Sequence, residues 1–180
     1  KLEIAVKEGK PLPIEAKSFT PEFKRLKELF LRGRVKVELE RAFDRNWKPV
    51  SWKEGWGRAK YDARVLLEKY ELLIVDYKTG KKDGNEVDHA EQGQVYMLSE
   101  FMIEPLIKNI VVEFWYLDQD DLTRMEYTRE QGVRYFKSIN SRAEKMTSDT
   151  TFEPTPSRWS CKWCAYRQDR GGPCKVGVIS

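Results

Sequence analysis

The segment from Leu72 to Gly80 reads Leu-Leu-Ile-Val-Asp-Tyr-Lys-Thr-Gly, four apolar residues followed by a polar end. A short apolar run of this kind predicts a central strand that is buried on both faces. Asp76 and Lys78 stand two positions apart, so their side chains emerge on the same face of a strand. Charged groups directly after a buried strand are costly unless they have partners or a function. The segment therefore predicts both the middle of a sheet and a candidate site at its end.

Two further strands are predicted upstream of this central strand. The segment from Val35 to Leu39 alternates apolar and polar residues, with Glu38 on the polar face. The segment from Arg58 to Leu67 alternates in the same way, with Asp62 on its polar face. Such alternation is typical of half-buried strands. If the second of these strands pairs antiparallel with the central strand through their short connection, Asp62 comes close to Asp76.

The rest of the chain predicts helices around these strands. Thr as a cap and Pro in the first turn start a helix that runs from Thr20 to about Leu31. The later predicted elements are a helix over 86–102, a strand over 109–117, a strand over 124–128 that can pair with it, and a helix over 130–146. This order predicts an α/β fold with a mixed central sheet flanked by helices. We place the core at residues 1–150 and a Cys- and Trp-rich tail, packed on the core, at residues 151–180.

The acidic residues of the three strands fit the hydrolysis of phosphodiester bonds. That reaction needs a divalent cation held by a few carboxylates, where it activates a water and neutralises the developing charge. A nearby lysine can position the water or stabilise the transition state. Glu38, Asp62 and Asp76 can converge with Lys78 at one place. The alternative is an ordinary salt bridge between Asp76 and Lys78 at a charged strand end.

Three ordered segments resemble the RecB-like branch of the PD-(D/E)XK nucleases. They are a Gly-x-x-x-x-Asp strand at 57–62, the Asp-Tyr-Lys-Thr-Gly turn at 76–80 and a Gln-x-x-x-Tyr helix at 92–96. Phage and bacterial exonucleases of this branch look most similar. The resemblance implies a restriction-endonuclease-like core and a Mg²⁺- or Mn²⁺-dependent deoxyribonuclease. It also implies an exonuclease that acts in DNA recombination, repair or phage DNA processing. A catalytically weak, nuclease-derived DNA-binding module is the alternative.

The resemblance implies roles for the residues around the turn. Asp62, Asp76 and the backbone carbonyl of Tyr77 would hold the metal ion, and Lys78 would be the catalytic lysine. Glu38 fits the upstream acidic residue of the family as a further catalytic group and metal ligand. The acid two positions later shares its face and is the alternative.

DNA contacts are predicted at three places. Gln92 and Tyr96 share a helix face, and the resemblance implies that this helix borders the site and helps to place DNA and catalytic groups; the alternative is a solvated face. Basic residues near the acids can contact phosphates or form a solvated edge: Arg58, Lys60, Arg64, Lys78, Lys81 and Lys82. Three tryptophans of one loop region can stack on unpaired bases or pack: Trp47, Trp52 and Trp56.

The histidine content departs from the resemblance. Many members carry a His on an N-terminal helix that adds a metal ligand, but the chain's one His is His89, after the Asp-Tyr-Lys turn. We interpret His89 as a solvated helix residue. Either the helix with the His precedes residue 1, or the protein functions without it.

The cysteines lie together near the end of the chain. Cys161, Cys164 and Cys174 have the spacing of metal ligands. In some RecB-like nucleases three such residues join an upstream Cys to hold a 4Fe-4S cluster, so the resemblance implies a candidate iron–sulfur site. A zinc site is one alternative. Free thiols packed by Trp159, Trp163 and Tyr166 are another.

Composition narrows the setting of the protein. The net charge of +4 is too small to indicate nucleic acid by itself, and no apolar run is long enough to span a membrane. An odd number of cysteines argues against a disulfide framework, and the start of the chain lacks a signal-peptide pattern. We expect a cytoplasmic protein of a bacterial or phage-infected host cell. The expected partner is DNA, with a second copy or a helicase or recombination protein as a further candidate.

Overall fold

One five-stranded sheet with helices on both faces forms the centre of the protein. The computed structural model describes residues 2–80 and 82–178. The elements in chain order are α1 (Leu2–Glu8), a 3₁₀ helix (Ile14–Phe19), α2 (Thr20–Leu31), β1 (Val35–Phe43), β2 (Gly57–Glu68), β3 (Glu71–Lys78), α3 (Glu86–Ile103), β4 (Asn109–Tyr116), β5 (Asp121–Thr128), α4 (Arg129–Ser148), α5 (Arg158–Lys162) and a second 3₁₀ helix (Gln168–Arg170). The predicted α/β fold with a mixed sheet is confirmed. In the described ranges no helix is long and apolar enough to cross a bilayer.

The strands lie in the order in which the chain makes them. β1, β2 and β3 pair antiparallel, β3 pairs parallel with β4, and β4 pairs antiparallel with β5. The parallel step needs a crossover, and α3 supplies it. β3, the predicted central strand, is third of five and is buried from Leu72 to Asp76.

Each face of the sheet carries its own apolar cluster. On one side, α3 and the part of α4 up to Asn140 pack against the even-numbered residues of β3 and β4, such as Ile74 and Phe114. On the other side, α1 and α2 pack against the odd-numbered residues, such as Val75 and Trp115. The even positions of β3, including Asp76 and Lys78, therefore face α3.

Strand β1 changes faces at Glu38, which the strict alternation of its sequence did not predict. Val35 and Val37 pack in the cluster on the α2 side, whereas Leu39 and Phe43 pack in the cluster on the α3 side. Glu38 has a φ of 51°, in the left-handed region that non-glycine residues rarely occupy. The prediction of one uninterrupted alternation is wrong here, because a single left-handed residue reverses the faces that follow it.

Strand β2 reverses at the facing position. Ala59 and Tyr61 belong to the cluster on the α3 side, and Ala63 and Val65 belong to the cluster on the α2 side. Asp62 lies between them, opposite Glu38 in the register of the two strands. The two strands thus switch faces together, so their pairing continues on both sides of the reversal.

Helix α3 lies close to the sheet because Gly93 has no side chain. A Cβ at Gly93 would come within 2.7 Å of the Met125 methyl group and 3.3 Å of the Phe114 ring. The apolar residues of α3 predict a packed face at Val87, Ala90, Met97, Leu98 and Phe101. This prediction is confirmed at Met97, Leu98 and Phe101, which are buried, and it is wrong at Val87, which is 72% exposed.

The second half of α3 is fastened to β1 and β2 by a buried ion cluster. The carboxylate of Glu100 is fully buried and accepts hydrogen bonds from Arg41 Nε at 2.7 Å and from Arg64 Nε at 2.8 Å. Both guanidinium groups also reach Glu104, whose side chain is 43% exposed. Two cations surround one fully buried anion, so the buried charge is compensated.

The described chain separates into two compact units, one through Asn140 and one from Ser141. The second unit holds α5, the second 3₁₀ helix and the cysteines. The packing of the predicted tail on the core stays a prediction.

Replacing the buried anion of the ion cluster tests its contribution to stability. Glu100→Gln leaves two arginines without their shared carboxylate, so we expect the free energy of unfolding to fall by about 3 kcal/mol. Urea denaturation measures this change. The matched control is Glu104→Gln, whose exposed carboxylate contributes less than about 1 kcal/mol. Equal effects of the two substitutions would contradict this account of the cluster.

Candidate active site

Three carboxylates lie side by side across neighbouring strands. Glu38 and Asp62 lie between the paired residues Val37–Ala63 and Leu39–Tyr61 of β1 and β2. The ladder between β2 and β3 ends at Ala63 and Val75, the residues next to Asp62 and Asp76. We call the carboxylates of Glu38, Asp62 and Asp76 the row. Two of its members, Glu38 and Asp62, are the residues at which β1 and β2 reverse faces. The structure therefore brings together the acids that the sequence analysis singled out.

Asp62 bonds to the edge of β3 with its side chain. Its Oδ2 accepts a hydrogen bond from the Tyr77 backbone N–H at 2.6 Å. Burial raises the pKa of Asp62 to about 6, and repulsion from Asp76 and Glu38 acts in the same direction. The hydrogen bond from Tyr77 and the charge of Lys78 oppose the shift without cancelling it. The positive charge near Asp62 therefore does not offset the burial of its carboxylate and the repulsion from the neighbouring carboxylates.

Asp76 is buried and surrounded by donors. Lys78 Nζ lies 2.7 Å from Asp76 Oδ2, and the Tyr96 hydroxyl donates to Asp76 Oδ1 at 2.8 Å. Gln92 Nε2 is 3.5 Å from the same oxygen. The Asp-x-Lys pair is therefore a salt bridge, and it forms part of a larger network.

Gln92 and Tyr96 complete that network. Gln92 Oε1 accepts from Lys78 Nζ at 2.7 Å, and its Nε2 donates to the Tyr96 hydroxyl at 2.5 Å. Burial, together with Asp76, raises the pKa of Tyr96, so its hydroxyl stays protonated and able to donate. The solvated helix face is not what the structure shows, because these groups orient Asp76 and Lys78. A direct contact of either residue with DNA stays a prediction.

An acidic cleft of about 770 Å³ opens on the α1 side of the row. Its carboxylates come from α1, the first 3₁₀ helix, β1, β2 and the turn after β4: Glu3, Glu15, Glu38, Asp62 and Asp118. Glu38 also pairs with Lys60 Nζ at 2.7 Å. Glu40, the alternative to Glu38, is exposed at the surface. A concentration of like charges favours a divalent cation by direct attraction.

Asp118 is a member of this site that the sequence did not single out. It accepts a hydrogen bond from the Gly80 backbone N–H at 2.8 Å, so it pins the end of the Asp-Tyr-Lys-Thr-Gly turn. β3 and β4 are parallel and end together, at Lys78 and Tyr116. A polar residue just beyond the strand that is parallel to the central one was the available signal.

The donor chemistry of the row fits a divalent metal ion. Carboxylate oxygens of Asp62, Asp76 and Glu38 are the ligands that Mg²⁺ prefers, and the raised pKa of Asp62 marks a charge that a cation would neutralise. In the part of the chain that the structure describes, however, no three His, Cys, Asp or Glu side chains already stand in metal-holding positions. The ammonium group of Lys78 lies against Asp76 instead. The ligand roles of these residues and of the Tyr77 carbonyl stay predictions.

The predicted basic residues divide into engaged and accessible groups. Arg64 is buried in the ion cluster with Glu100, so the phosphate contact suggested for it is wrong. Lys60 and Lys82 are paired with Glu38 and Asp121, each at 2.7 Å. Arg58 is exposed and lies over the Trp52 ring at 5.5 Å. Lys81 lies outside the described residues.

The loop tryptophans mostly pack. Trp47 is buried and stacks on Phe43 with ring centroids 4.3 Å apart, and Trp56 meets the edge of this pair. Trp52 is 38% exposed beside Arg58. Trp47 and Trp56 therefore pack against other side chains. Of the three tryptophans, Trp52 is the one whose ring is accessible for base stacking.

The interpretation of His89 as a solvated residue is wrong. Its Nδ1 lies 2.7 Å from the Tyr116 hydroxyl, and its ring stacks on Phe114 with centroids 5.6 Å apart. Burial lowers the pKa of His89, and Lys78 lowers it further. The residue is half-buried because the first turn of α3 lies over the end of β4.

The cysteines do not form a metal site in the described part of the chain. Cys161 is buried and its Sγ accepts a hydrogen bond from the Val178 N–H at 3.4 Å. Cys164 and Cys174 are half-buried free thiols. Three thiols also fall short of the four ligands of a closed cluster. An iron–sulfur cluster at these three residues stays a prediction. The alternative in which Trp159, Trp163 and Tyr166 pack the thiols is wrong, because all three aromatic side chains are exposed.

Comparisons with known proteins give one family. The family model described as the PD-(D/E)XK nuclease superfamily matches residues 5–168. No curated protein matches the chain. Among solved structures, the crystal structure of SSO0001 aligns with 90% of this chain and 68% of that chain, at 15% identity and a TM-score of 0.41. This last likeness is too weak to support an argument about fold or function.

Removing the charge of Asp62 tests the electrostatic account of the row. A carboxyl whose pKa is raised in the folded protein lowers stability as pH rises from its unfolded value to about 6, and the loss is complete above that pH. We therefore expect Asp62→Asn, whose amide oxygen can still accept from Tyr77, to raise Tm by about 3 °C at pH 8 in EDTA. Differential scanning calorimetry at pH 8 and pH 4 measures it. The gain should vanish at pH 4, and a lower Tm at pH 8 would contradict the account.

Proposed function

The chain belongs to the PD-(D/E)XK nuclease superfamily, and we propose on this basis that it is a Mg²⁺-dependent nuclease that hydrolyses phosphodiester bonds of DNA. Nucleases of this superfamily typically use divalent ions such as Mg²⁺ or Mn²⁺. The ordered Asp-Tyr-Lys-Thr-Gly turn and Gln-x-x-x-Tyr helix support the RecB-like branch. Membership of that branch would imply an exonuclease activity in DNA recombination, repair or phage DNA processing.

The observation that carries the proposal is the network around Asp76 and Lys78. Tyr96 holds one oxygen of Asp76, and Gln92 holds the ammonium group of Lys78, at 2.8 and 2.7 Å. Asp62 lies beside them with a pKa that burial raises to about 6, and the charge of Lys78 offsets this rise only in part. A structural salt bridge needs no such orientation from a neighbouring helix, whereas a catalytic pair does.

The chain's own groups account for binding and charge stabilisation. Asp62, Asp76 and Glu38, with the Tyr77 carbonyl, would hold the metal ion, which supplies activation of a water and neutralisation of phosphate charge. With a metal ion held by Asp76, Lys78 would be released from that carboxylate, and Gln92 would still hold its Nζ. The ammonium group can then stabilise the negative charge that develops on the phosphate. Tyr96 keeps Asp76 oriented as a ligand throughout.

Removing a proposed ligand should abolish cleavage. Asp76→Asn keeps the acceptor for Tyr96 but halves the oxygen ligands at this position, so we expect no cleavage of DNA with Mg²⁺ or Mn²⁺. The substitution also removes the buried partner of Lys78, so we expect a lower Tm, and circular dichroism at the assay temperature checks that the variant is folded. The exposed carboxylate of Asp88 on α3 provides the control, and Asp88→Asn should cleave as the wild type does. Release of acid-soluble nucleotides measures the activity. Full activity of Asp76→Asn would contradict the proposal.

The same assay separates cutting at ends from internal cutting. Linear DNA and covalently closed circular DNA are compared with the wild-type protein, and EDTA serves as the blank. Loss of the linear form alone supports an exonuclease. Equal loss of both forms contradicts the exonuclease assignment and keeps the nuclease. Binding of DNA without any cleavage supports the nuclease-derived binding module.

The hydroxyl of Tyr96 should matter through Asp76. Tyr96→Phe keeps the packed ring and removes the hydrogen bond to Asp76, so we expect activity to fall about 10- to 100-fold, as for other groups that orient metal ligands. Part of that loss should be recovered at higher Mg²⁺ concentration, because the ligand is disordered and not deleted. Steady-state rates over a Mg²⁺ titration measure both effects. The control Tyr135→Phe alters a partly exposed tyrosine of α4 and should be silent.

A further inference from the structure

The C-terminal unit has its large aromatic side chains on the outside. Trp159, Trp163 and Tyr166 are 82%, 75% and 67% exposed, whereas Arg167 and Cys161 are buried at 6% and 7%. This distribution is the reverse of the usual one, in which tryptophan is highly buried and arginine is exposed. Exposed aromatic groups of this size indicate a binding surface.

The backbone of the unit holds Tyr166 outward. Gly172 approaches it so closely that a Cβ would lie 2.3 Å from the Tyr166 carbonyl carbon. Cys174 N–H donates to the Tyr166 carbonyl at 2.9 Å, and Gly172 N–H donates to the Arg167 carbonyl at 2.8 Å. The returning chain thus covers the inner side of this segment, so the exposed ring is a feature of the local fold.

The two tryptophans share one side of α5. They are four residues apart, at the second residue of the helix and at its C-cap, which places them on neighbouring turns of one face. Ser157 and Ser160 form a capping box that fixes the start of this short helix. Lys162 Nζ lies 5.1 Å from the centre of the Trp163 ring.

The net charge of the protein is concentrated in the segment that carries these rings. Residues 154–178 carry one acidic residue, Asp169, and five basic residues: Arg158, Lys162, Arg167, Arg170 and Lys175. Their formal charge equals the +4 of the whole chain, so the rest of the chain is neutral. Apart from the buried Arg167, these basic side chains are exposed.

We propose that this aromatic–basic surface binds single-stranded DNA. We define the surface by six exposed residues: Arg158, Trp159, Lys162, Trp163, Tyr166 and Arg170. Aromatic rings stack on unpaired bases while cations follow the phosphates, and this pairing of groups is the usual design for single strands. Duplex DNA hides the faces of its bases, so the rings select the single strand. The inference rests on the proposed function and specifies the strand form that the enzyme holds.

Binding in EDTA tests the surface without cleavage. Fluorescence anisotropy of labelled oligothymidylate of about 20 nucleotides gives Kd, and we expect Trp159→Ala and Trp163→Ala each to raise it about tenfold. Trp163→Tyr should keep most of the affinity because it keeps a ring. The matched control is Leu106→Ala, which removes a side chain that is 73% exposed in the other unit. Two further probes are an abasic strand of the same length and the corresponding duplex.

The outcomes are distinct. Stacking predicts that the tryptophan variants bind the abasic strand and the duplex as the wild type does. Unchanged Kd for oligothymidylate in both variants would overturn the inference, as would an equal loss on the abasic strand. A dimer that dissociates in the variants with unchanged DNA affinity would identify a second copy as the occupant and overturn it too. Tight tryptophan-dependent binding by a wild-type protein that cuts nothing would instead remove the proposed function and keep the inference.

Discussion

The left-handed backbone of Glu38 is the constraint on which the arrangement of the site depends. A non-glycine residue in this region costs on the order of 1 kcal/mol, and it persists because both halves of β1 are held in different apolar clusters. Strand β2 reverses its faces at Asp62. There the Asp62 side chain accepts a hydrogen bond from the Tyr77 backbone N–H, next to the end of the backbone pairing between β2 and β3. Asp62 therefore lines the cleft on the α1 side, while Asp76 faces α3. The side chain of Asp62 nevertheless reaches the edge of β3 at Tyr77, the residue next to Asp76.

Two clusters of charged side chains in this protein differ in their balance of charge. Around Glu100 the charges are balanced, because two arginines enclose one carboxylate and both oxygens are bonded. Around Asp62 they are unbalanced, because its neighbours include Asp76 and Glu38, and their repulsion adds to the rise in pKa that burial of Asp62 causes. The balanced cluster fastens α3 to the strands. The unbalanced one is unfavourable for the protein alone and favourable for a bound cation, so the fold is stabilised at one place and made receptive at another.

The local sequence pattern predicted most of the helices and strands. It failed where contacts between residues distant in the sequence determine the structure. β3, α2 and α3 were predicted within a few residues, because their apolar periods and helix caps are local signals. α1 was missed, since seven mixed residues without a cap acquire helical structure only through packing against α2. The reversal at Glu38 leaves no trace in an alternating sequence. The bonding of Gln92 and Tyr96 to Asp76 and Lys78 was also beyond local pattern, because it joins residues that are 14 to 20 positions apart.

Helix α3 joins the balanced cluster to the site along a single rigid rod. Glu100 lies eight residues after Gln92 in that helix, a separation of about 12 Å along its axis. A small tilt about the Glu100 anchor is magnified at the other end, where hydrogen bonds to Lys78 tolerate only tenths of an ångström. A mutational scan scored by activity would therefore rank Arg41 and Arg64 among the functional positions, although neither touches the reacting groups. Such a scan would attribute to the chemical step a loss of activity that arises from the orientation of α3.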